Sequence, residues 1–282
     1  MQASLDLRPS PIAGQWYEGD PKALARAVDR YMARADLPKL TGEVIAVIAP
    51  HAGHIYSGPV AGYAFAAVRG RTPDLVAVVA PMHQPYIQPL ITTAHDAYAT
   101  PLGAVRVDRE AVSQLNRELN AALGYGLTAV SHDREHSLEI ELPFLQRALG
   151  KEFLLLPVMV RAQEPHVSQT LGMALAKILK GRDALMVAST DLSHYYTQQA
   201  ALVFDSEMLR QWEAFSPEGA FEAEHQGKTY ACGLGALTAV LWAARELGAD
   251  TVRVLRHATS GDVTGDYSAV VGYGAAAILK TN

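Results

Sequence analysis

Cysteine is nearly absent from this chain: Cys232 is the single one among 282 residues. One thiol cannot close an internal disulfide, so the fold rests on its core, and Cys232 is a free thiol, either inert or functional. Charge is sparse as well. Only 19% of residues are Asp, Glu, Lys or Arg, the formal net charge is −5, and no cluster of Lys and Arg stands out. Phosphate recognition needs concentrated positive charge, so nucleic acid is not an expected partner. Long hydrophobic runs are missing: none approaches the ~18 residues of a membrane span. The first ten residues lack the charged-then-apolar pattern of a signal peptide. These absences point to a cytoplasmic protein with no membrane association. There is no internal repeat and no Pro/Gly/Ser-rich linker, so residues 1–282 read as one domain.

Apolar residues are plentiful, at 49%. A chain of this length and composition buries a sizeable core. Its apolar runs of strand length alternate with stretches of helix length. Strands are expected over 43–50, 74–81, 89–94, 104–107, 153–160, 184–190, 251–257 and 267–279. Helices are expected over 58–68, 109–119, 137–149 (with Pro143 kinking or delaying it), 165–179, 199–215, 217–224 and 234–247. Continuous rather than alternating apolar runs indicate strands covered on both faces. The repeated strand–helix–strand order predicts an α/β protein: a three-layer single domain with a mixed, largely parallel central sheet. The last two strands follow each other without a helix and would add an antiparallel edge or hairpin.

In open α/β sheets, ligands gather outside the carboxyl ends of the strands. Three strand runs are followed there by a histidine. The first leads into Pro50-His51-Ala52-Gly53-His54, the second into Pro81-Met82-His83, and the run 184–190 into Asp191-Leu192-Ser193-His194. A parallel sheet would bring these ends together. His51, on a Pro-His-Ala-Gly turn, suits metal ligation or general-base work, and His83 repeats the arrangement. Each alone could equally be satisfied by backbone bonds; jointly they point to one site, and two imidazoles suit Zn, Fe or Cu. His54 reads as a helix-entry or supporting group. Asp191 could orient an imidazole, ligate a metal or cap a helix, and His194 could move a proton. On a helix, His136 and Glu139 would share one face as a proton-transfer or metal-ligating pair; the alternative is an acidic helix N-terminus. Cys232 precedes a predicted helix, where a thiol pKa can fall; it could then be a soft ligand or nucleophile, or else a buried inert group. The stretch Ser260-Gly261-Asp262-Val263-Thr264-Gly265-Asp266-Tyr267 fits neither a dinucleotide loop nor a P-loop. It reads as a pocket-shaping loop, with cation binding by Asp262 and Asp266 as the alternative.

Several segments together resemble a known family. Ala13-Gly14-Gln15-Trp16-Tyr17, Ala49-Pro50-His51-Ala52-Gly53, Glu135-His136-Ser137-Leu138-Glu139 with Leu142-Pro143, Ser189-Thr190-Asp191-Leu192-Ser193-His194 and Cys232-Gly233 occur in the order seen in the Memo family. Its bacterial and archaeal members are known as the B component of the AmmeMemoRadiSam system. The resemblance implies a fold like the class III extradiol dioxygenases, in which two histidines and a carboxylate hold Fe(II). By this resemblance His51 and His83 take the metal-histidine positions, and Cys232 falls where those enzymes have a ligating Glu. His136 and His194 fall near the non-ligand active-site histidines, and Asp191 lies in the pocket. The implied cofactor is Fe(II), with copper or zinc as alternatives. The implied partners are a small-molecule substrate and other AmmeMemoRadiSam components.

Three functions follow as expectations. The first is an Fe(II)-dependent, dioxygenase-like oxidoreductase acting on a small aromatic or heteroaromatic molecule, with His136 and His194 as acid and base oriented by Asp191. The second is a non-catalytic metal- or phosphopeptide-binding module that keeps the pocket. The third is a cysteine hydrolase built on Cys232.

Overall fold

The computed structural model describes residues 5–281; the first four residues of the N-terminal stretch read above, and Asn282, lie outside it. The chain runs through β1 (Leu7–Arg8), α1 (Pro21–Ala33), β2 (Glu43–Ala49), α2 (His54–Ala66), β3 (Leu75–Pro81), β4 (Leu90–Thr93), β5 (Ala97–Thr100), β6 (Gly103–Arg106), α3 (Arg109–Leu123) and β7 (Thr128–Val130). A single 3-10 turn, Glu139–Glu141, leads into α4 (Leu142–Ala148). Then follow β8 (Leu154–Val160), α5 (Pro165–Leu179), β9 (Ala184–Ser189), β10 (His194–Tyr196), α6 (Gln198–Glu213), α7 (Pro217–His225), α8 (Leu234–Glu246), β11 (Thr251–Thr259), α9 (Gly261–Thr264) and β12 (Val270–Lys280).

The main sheet has nine strands in the order β10-β12-β2-β9-β3-β8-β4-β7, with β11 added alongside β12. Its centre, β2-β9-β3-β8, is parallel, and antiparallel pairings of β12 with β2 and of β4 with β8 begin the two flanks. Successive residues of the central strands enter opposite cores, as the two-residue side-chain period requires. Ala46, Ile48, Leu75, Ala77, Val79, Val158 and Met186 pack under α3, α5, α6, α7 and α8. Val47, Ala49, Val76, Val78, Ala80 and Val187 pack under α1, α2 and α4. These are the three layers expected from the continuous apolar runs. The last two strands do pair, over a long antiparallel register from Thr251 opposite Leu279 to Thr259 opposite Gly272.

The structure departs from expectation at several elements. Helix α1 was unassigned, although Asp20 caps it by accepting from Ala23 N at 2.7 Å, Pro21 opens it, and Leu24, Ala27, Val28 and Met32 form its buried stripe. Helix α2 starts four residues early and carries Pro59 inside it. Its backbone packs closely on α1: a Cβ on Gly58 would lie 2.7 Å from the Tyr31 ring, and one on Gly62 2.6 Å from Tyr31 carbonyl carbon. That contact holds the helix despite the missing amide donor. The single helix expected over 137–149 begins instead as the 3-10 turn and becomes α-helical only at Leu142, with Pro143 in the first turn, where its lost N–H costs nothing. A separate three-stranded sheet, β1-β5-β6, was also missed except for β6. Asp262 and Asp266 are committed to their own loop: Asp262 accepts from Thr259 N at 2.7 Å and Asp266 from Ser268 N at 2.9 Å. Among the described residues no helix is long and apolar enough to cross a membrane.

Candidate metal centre

The parallel neighbours β2, β9 and β3 end side by side, and the chain beyond each end supplies His51, Asp191 and His83. The fourth contributor comes from the segment after the edge strand β7, which folds back over these ends and delivers His136. His51, His83 and His136 each offer a ring nitrogen within 4.8 Å of the others'. Their rings form a tight group, with His83 and His136 stacked at 4.9 Å and His51 edge-on to both at 5.2 and 5.6 Å.

The other ring nitrogens are already engaged. His83 Nδ1 donates to Glu135 Oε1 at 2.9 Å, while His83 N donates to Glu135 Oε2 at 2.5 Å. His136 Nδ1 lies 3.3 Å from the same Oε1, which also accepts from the backbone N–H of His136 and of Ser137 at 3.0 Å. His51 Nδ1 lies 2.9 Å from Ser189 Oγ. The Nε2 atoms of the three rings are therefore the ones left for a ligand, with tautomer and orientation set by a neighbour, as in metal sites generally. Burial, then the charges of His136 and His83, push the His51 pKa well below its ordinary value. Burial lowers that of His136 to about 4, partly opposed by Glu135. Both rings are neutral near pH 7 and present lone pairs. Burial opposes the charge on Glu135, but hydrogen bonding and charge from His83, then His136, outweigh it and hold the carboxyl well below the usual carboxylate range.

Cys232 sits just before α8, whose N-cap is Gly233. Its Sγ is 3.2 Å from His51 Nε2 and accepts from Asp191 N at 3.2 Å. Cys232 thus touches the histidine group through His51 but is not one of the three mutually close donors. Of the two readings of Cys232, the lowered thiol pKa is not found: burial, reinforced by Asp191, pushes the thiol up well above its ordinary value. That removes the activated nucleophile a cysteine hydrolase needs. Gly233 fixes this approach, because a Cβ there would lie 2.5 Å from Ser189 O and 2.9 Å from Thr190 Cβ.

Asp191 is buried and serves His51, accepting from His51 N at 2.8 Å, with its other oxygen 3.9 Å from His51 Nε2. Burial raises its pKa to about 7 against the backbone hydrogen bonds of His51 and Ala52. Its carboxylate accepts from the backbone of His51 and Ala52, and not from His136 or His194, which it was expected to orient. Asp191 lies in the loop after β9, and His194 opens β10. His194 Nδ1 must donate to Leu192 O, 2.7 Å away, because a carbonyl only accepts. Burial lowers its pKa, so Nε2 is a free base. His194 is near enough to the group for its charge to act on His51. The loop carrying it is anchored by Asp205, which accepts from Ser193 N at 3.0 Å and from His257 Nε2 at 2.8 Å.

The expected pairing of His136 with Glu139 is also corrected. Glu139 turns away to a buried network in which Arg8 donates to it at 2.5 Å and Tyr17 at 2.8 Å, with Ser10 bonded to the same carboxylate. Arg8 also donates to Asp133 at 2.7 Å and to Glu135 O at 2.6 Å, tying β1 to the segment that delivers His136. His54 is a supporting group: Nε2 donates to Ile140 O at 3.1 Å, and burial lowers its pKa to about 4. Sequence reasoning missed Glu135, Ser189 and Trp16. Glu135 directly precedes His136, and Ser189 closes a strand two residues before Asp191; those positions were the available signals. Trp16 covers His136 at a ring distance of 4.2 Å, and Tyr230 and the 77% exposed Tyr195 stand edge-on to His194, so aromatic side chains rim the group.

The family described as Memo-like protein matches residues 8–277. A MEMO1 family protein of Nitrosopumilus maritimus is 34% identical over 95% of this chain and 98% of its own length. Another, from Thermotoga neapolitana, is 36% identical over the same shares. Among solved structures, an uncharacterized protein from Escherichia coli K12 covers 84% of this chain and 100% of its own, with a TM-score of 0.50 and 13% identity, a likeness of fold alone. The match over nearly the whole length, together with relatives above 30% identity over 95% of the chain, establishes that this protein belongs to the Memo family.

Proposed function

We propose that the protein is a non-haem Fe(II)-dependent, dioxygenase-like oxidoreductase acting on a small aromatic or heteroaromatic molecule. The observation that carries this reading is the group His51, His83 and His136, whose ring nitrogens converge while Ser189 and Glu135 occupy the opposite nitrogens. The donor set fits a metal. His51 Nε2 and Cys232 Sγ are 3.2 Å apart, close enough for one ion to meet both. His51, His83 and His136 would hold the ion, with Cys232 as the soft donor beside His51 and Asp191 as the nearby carboxylate. Imidazole accommodates iron, copper and zinc alike, and adjacent carboxylate favours iron, whereas engaged thiolate favours copper or zinc. The bound ion supplies Lewis acidity toward a substrate oxygen and a centre for oxygen reduction.

The chain's own groups do the rest. Trp16, Tyr195 and Tyr230 offer faces and edges to a flat ring. His194, held as the Nδ1–H tautomer, accepts a phenol-like proton at Nε2. His136, neutral beneath Trp16, is screened from bulk water on that side. Elemental analysis of anaerobically purified wild type beside His51→Ala tests the centre: wild type should carry metal and the variant should not. Oxygen uptake by the Fe(II)-loaded protein across a panel of phenols and indoles tests the chemistry. Metal binding without any uptake would leave the non-catalytic binding module as the reading.

A further inference from the structure

Ser189 Oγ stands at a junction of three groups. It is 2.9 Å from His51 Nδ1, 2.8 Å from Ser137 O and 2.7 Å from Glu141 Oε1, and all of them are buried. A hydroxyl has one proton to give and two lone pairs with which to accept. Ser137 O is a carbonyl and can only accept, so the serine proton belongs there. Ser189 must then accept from both remaining neighbours. The contact with Glu141 is a hydrogen bond only if Glu141 carries the proton, and the contact with His51 only if Nδ1 carries one. The opposite assignment, an ionised Glu141 accepting from Ser189, sets two oxygen lone pairs against each other at the Ser137 carbonyl. It also strands a bare carboxylate whose other oxygen, Oε2, is buried with no partner. The charged group acting on Glu141 is Asp191, which is of like sign.

We infer that Glu141 is a neutral carboxylic acid that donates to Ser189 and so acts as a positioning residue, locking His51 as the Nδ1–H tautomer with its Nε2 lone pair turned into the site. Burial, which raises the Glu141 pKa well above the usual carboxylate range, agrees with this arrangement. The inference concerns the pocket of the proposed metal site, and its consequence for ligand binding rests on that reading; the proton arrangement itself needs no metal. It also states which substitution should be harmless. A glutamine at 141 keeps a donor of similar shape, whereas a methionine fills the space and donates nothing, leaving a Ser189 lone pair unpaired and the hydroxyl less firmly held between Ser137 O and His51.

Three measurements on the full chain decide it. In metal-free protein at pH 7, infrared difference spectra of wild type against Glu141→Gln should show a protonated carboxylic acid C=O band present only in wild type. Nitrogen-15 spectra of the His51 ring, assigned with His51→Ala, should report Nδ1–H in wild type and Glu141→Gln, and a mixture in Glu141→Met. Zn(II) and anaerobic Fe(II) titrations should give Glu141→Gln an affinity within about threefold of wild type, and Glu141→Met a loss of about 10- to 100-fold. No acid band, an Nε2–H tautomer in wild type, or equal losses in both variants would overturn the inference. If Glu141→Met does not fold, the band, the wild-type tautomer and the glutamine variant still decide. Wild type that binds neither metal would defeat the metal reading alone, leaving the first two measurements to judge Glu141.

Discussion

Replacing Glu135 with glutamine perturbs the one group shared by two of the three site histidines. Its carboxylate meets only donors: His83 N at 2.5 Å on one oxygen, and on the other His83 Nδ1 at 2.9 Å with the amides of His136 and Ser137 at 3.0 Å. Glutamine preserves the shape but has one acceptor oxygen and a new NH2 group. In the better orientation its oxygen serves the three-donor side, and the NH2 then faces His83 N, donor against donor. The part-buried His83 N–H loses its partner, which costs about 1 kcal/mol. The orientation of His83 loosens with it, and a lost outer-shell partner weakens metal binding by about 10- to 100-fold. Alanine, which removes both oxygens, should do worse on both counts. The assays are competition against a chromophoric chelator for Zn(II), the same titration with Fe(II) under anaerobic conditions, and denaturant unfolding of the metal-free protein. The expected order of affinity is wild type, then glutamine, then alanine. Glutamine and alanine variants that bind metal as tightly as wild type would refute the argument that Glu135 sets the histidines. An unchanged unfolding free energy would refute the hydrogen-bond accounting separately.

Other perturbations follow from the same geometry. Arg8→Met leaves Asp133 and Glu139 as buried charges without their cation, which should cost about 3–5 kcal/mol in denaturant unfolding; a loss under about 1 kcal/mol would contradict the buried network. Gly233→Ala forces the turn away from Ser189 O and Thr190, costing about 1–3 kcal/mol, and should move Cys232 off His51; metal affinity equal to wild type would speak against Cys232 as a donor. Cys232 should alkylate with iodoacetamide far more slowly at pH 7 than a free thiol, because burial keeps it protonated; rapid labelling would restore the nucleophile reading. Burial raises Glu224 to about 7, opposed by its bond from Ala231 N. Between the unfolded value near 4.5 and about 7, the native state then holds more proton than the unfolded one. The Glu224 contribution to stability should therefore fall as pH rises through that window, by about 1–2 kcal/mol after solvent screening, and is read as the difference between wild type and Glu224→Gln, because the buried histidines with lowered pKa contribute with the opposite sign. A difference between the two proteins that rises with pH would refute it.

The parts of this site that a reader could take from the sequence are those fixed by local pattern. Continuous apolar runs marked β2, β3 and β9 as covered strands, and the strand-end rule then gathered His51, His83 and Asp191. His136 had no such marker. It follows β7, a three-residue edge strand, and reaches the site because Arg8 and Asp133, 125 positions apart, close a buried pair beneath it. No periodicity records a contact of that span, and Arg8 in a two-residue strand looks like a surface charge. The same limit explains why the sequence left alternatives open at Glu139 and Cys232. Helical spacing and position before a helix are local statements, but the direction of Glu139 was decided by Arg8 and the Cys232 thiol by burial against Asp191. His51 and His83 were therefore legible from strand ends, while His136 and the acceptors that settle the protons of the site were not. Glu135, Ser189 and the Leu192 carbonyl determine which nitrogen of each ring is free, so a residue list that is nearly right still leaves the chemistry open until those acceptors are placed.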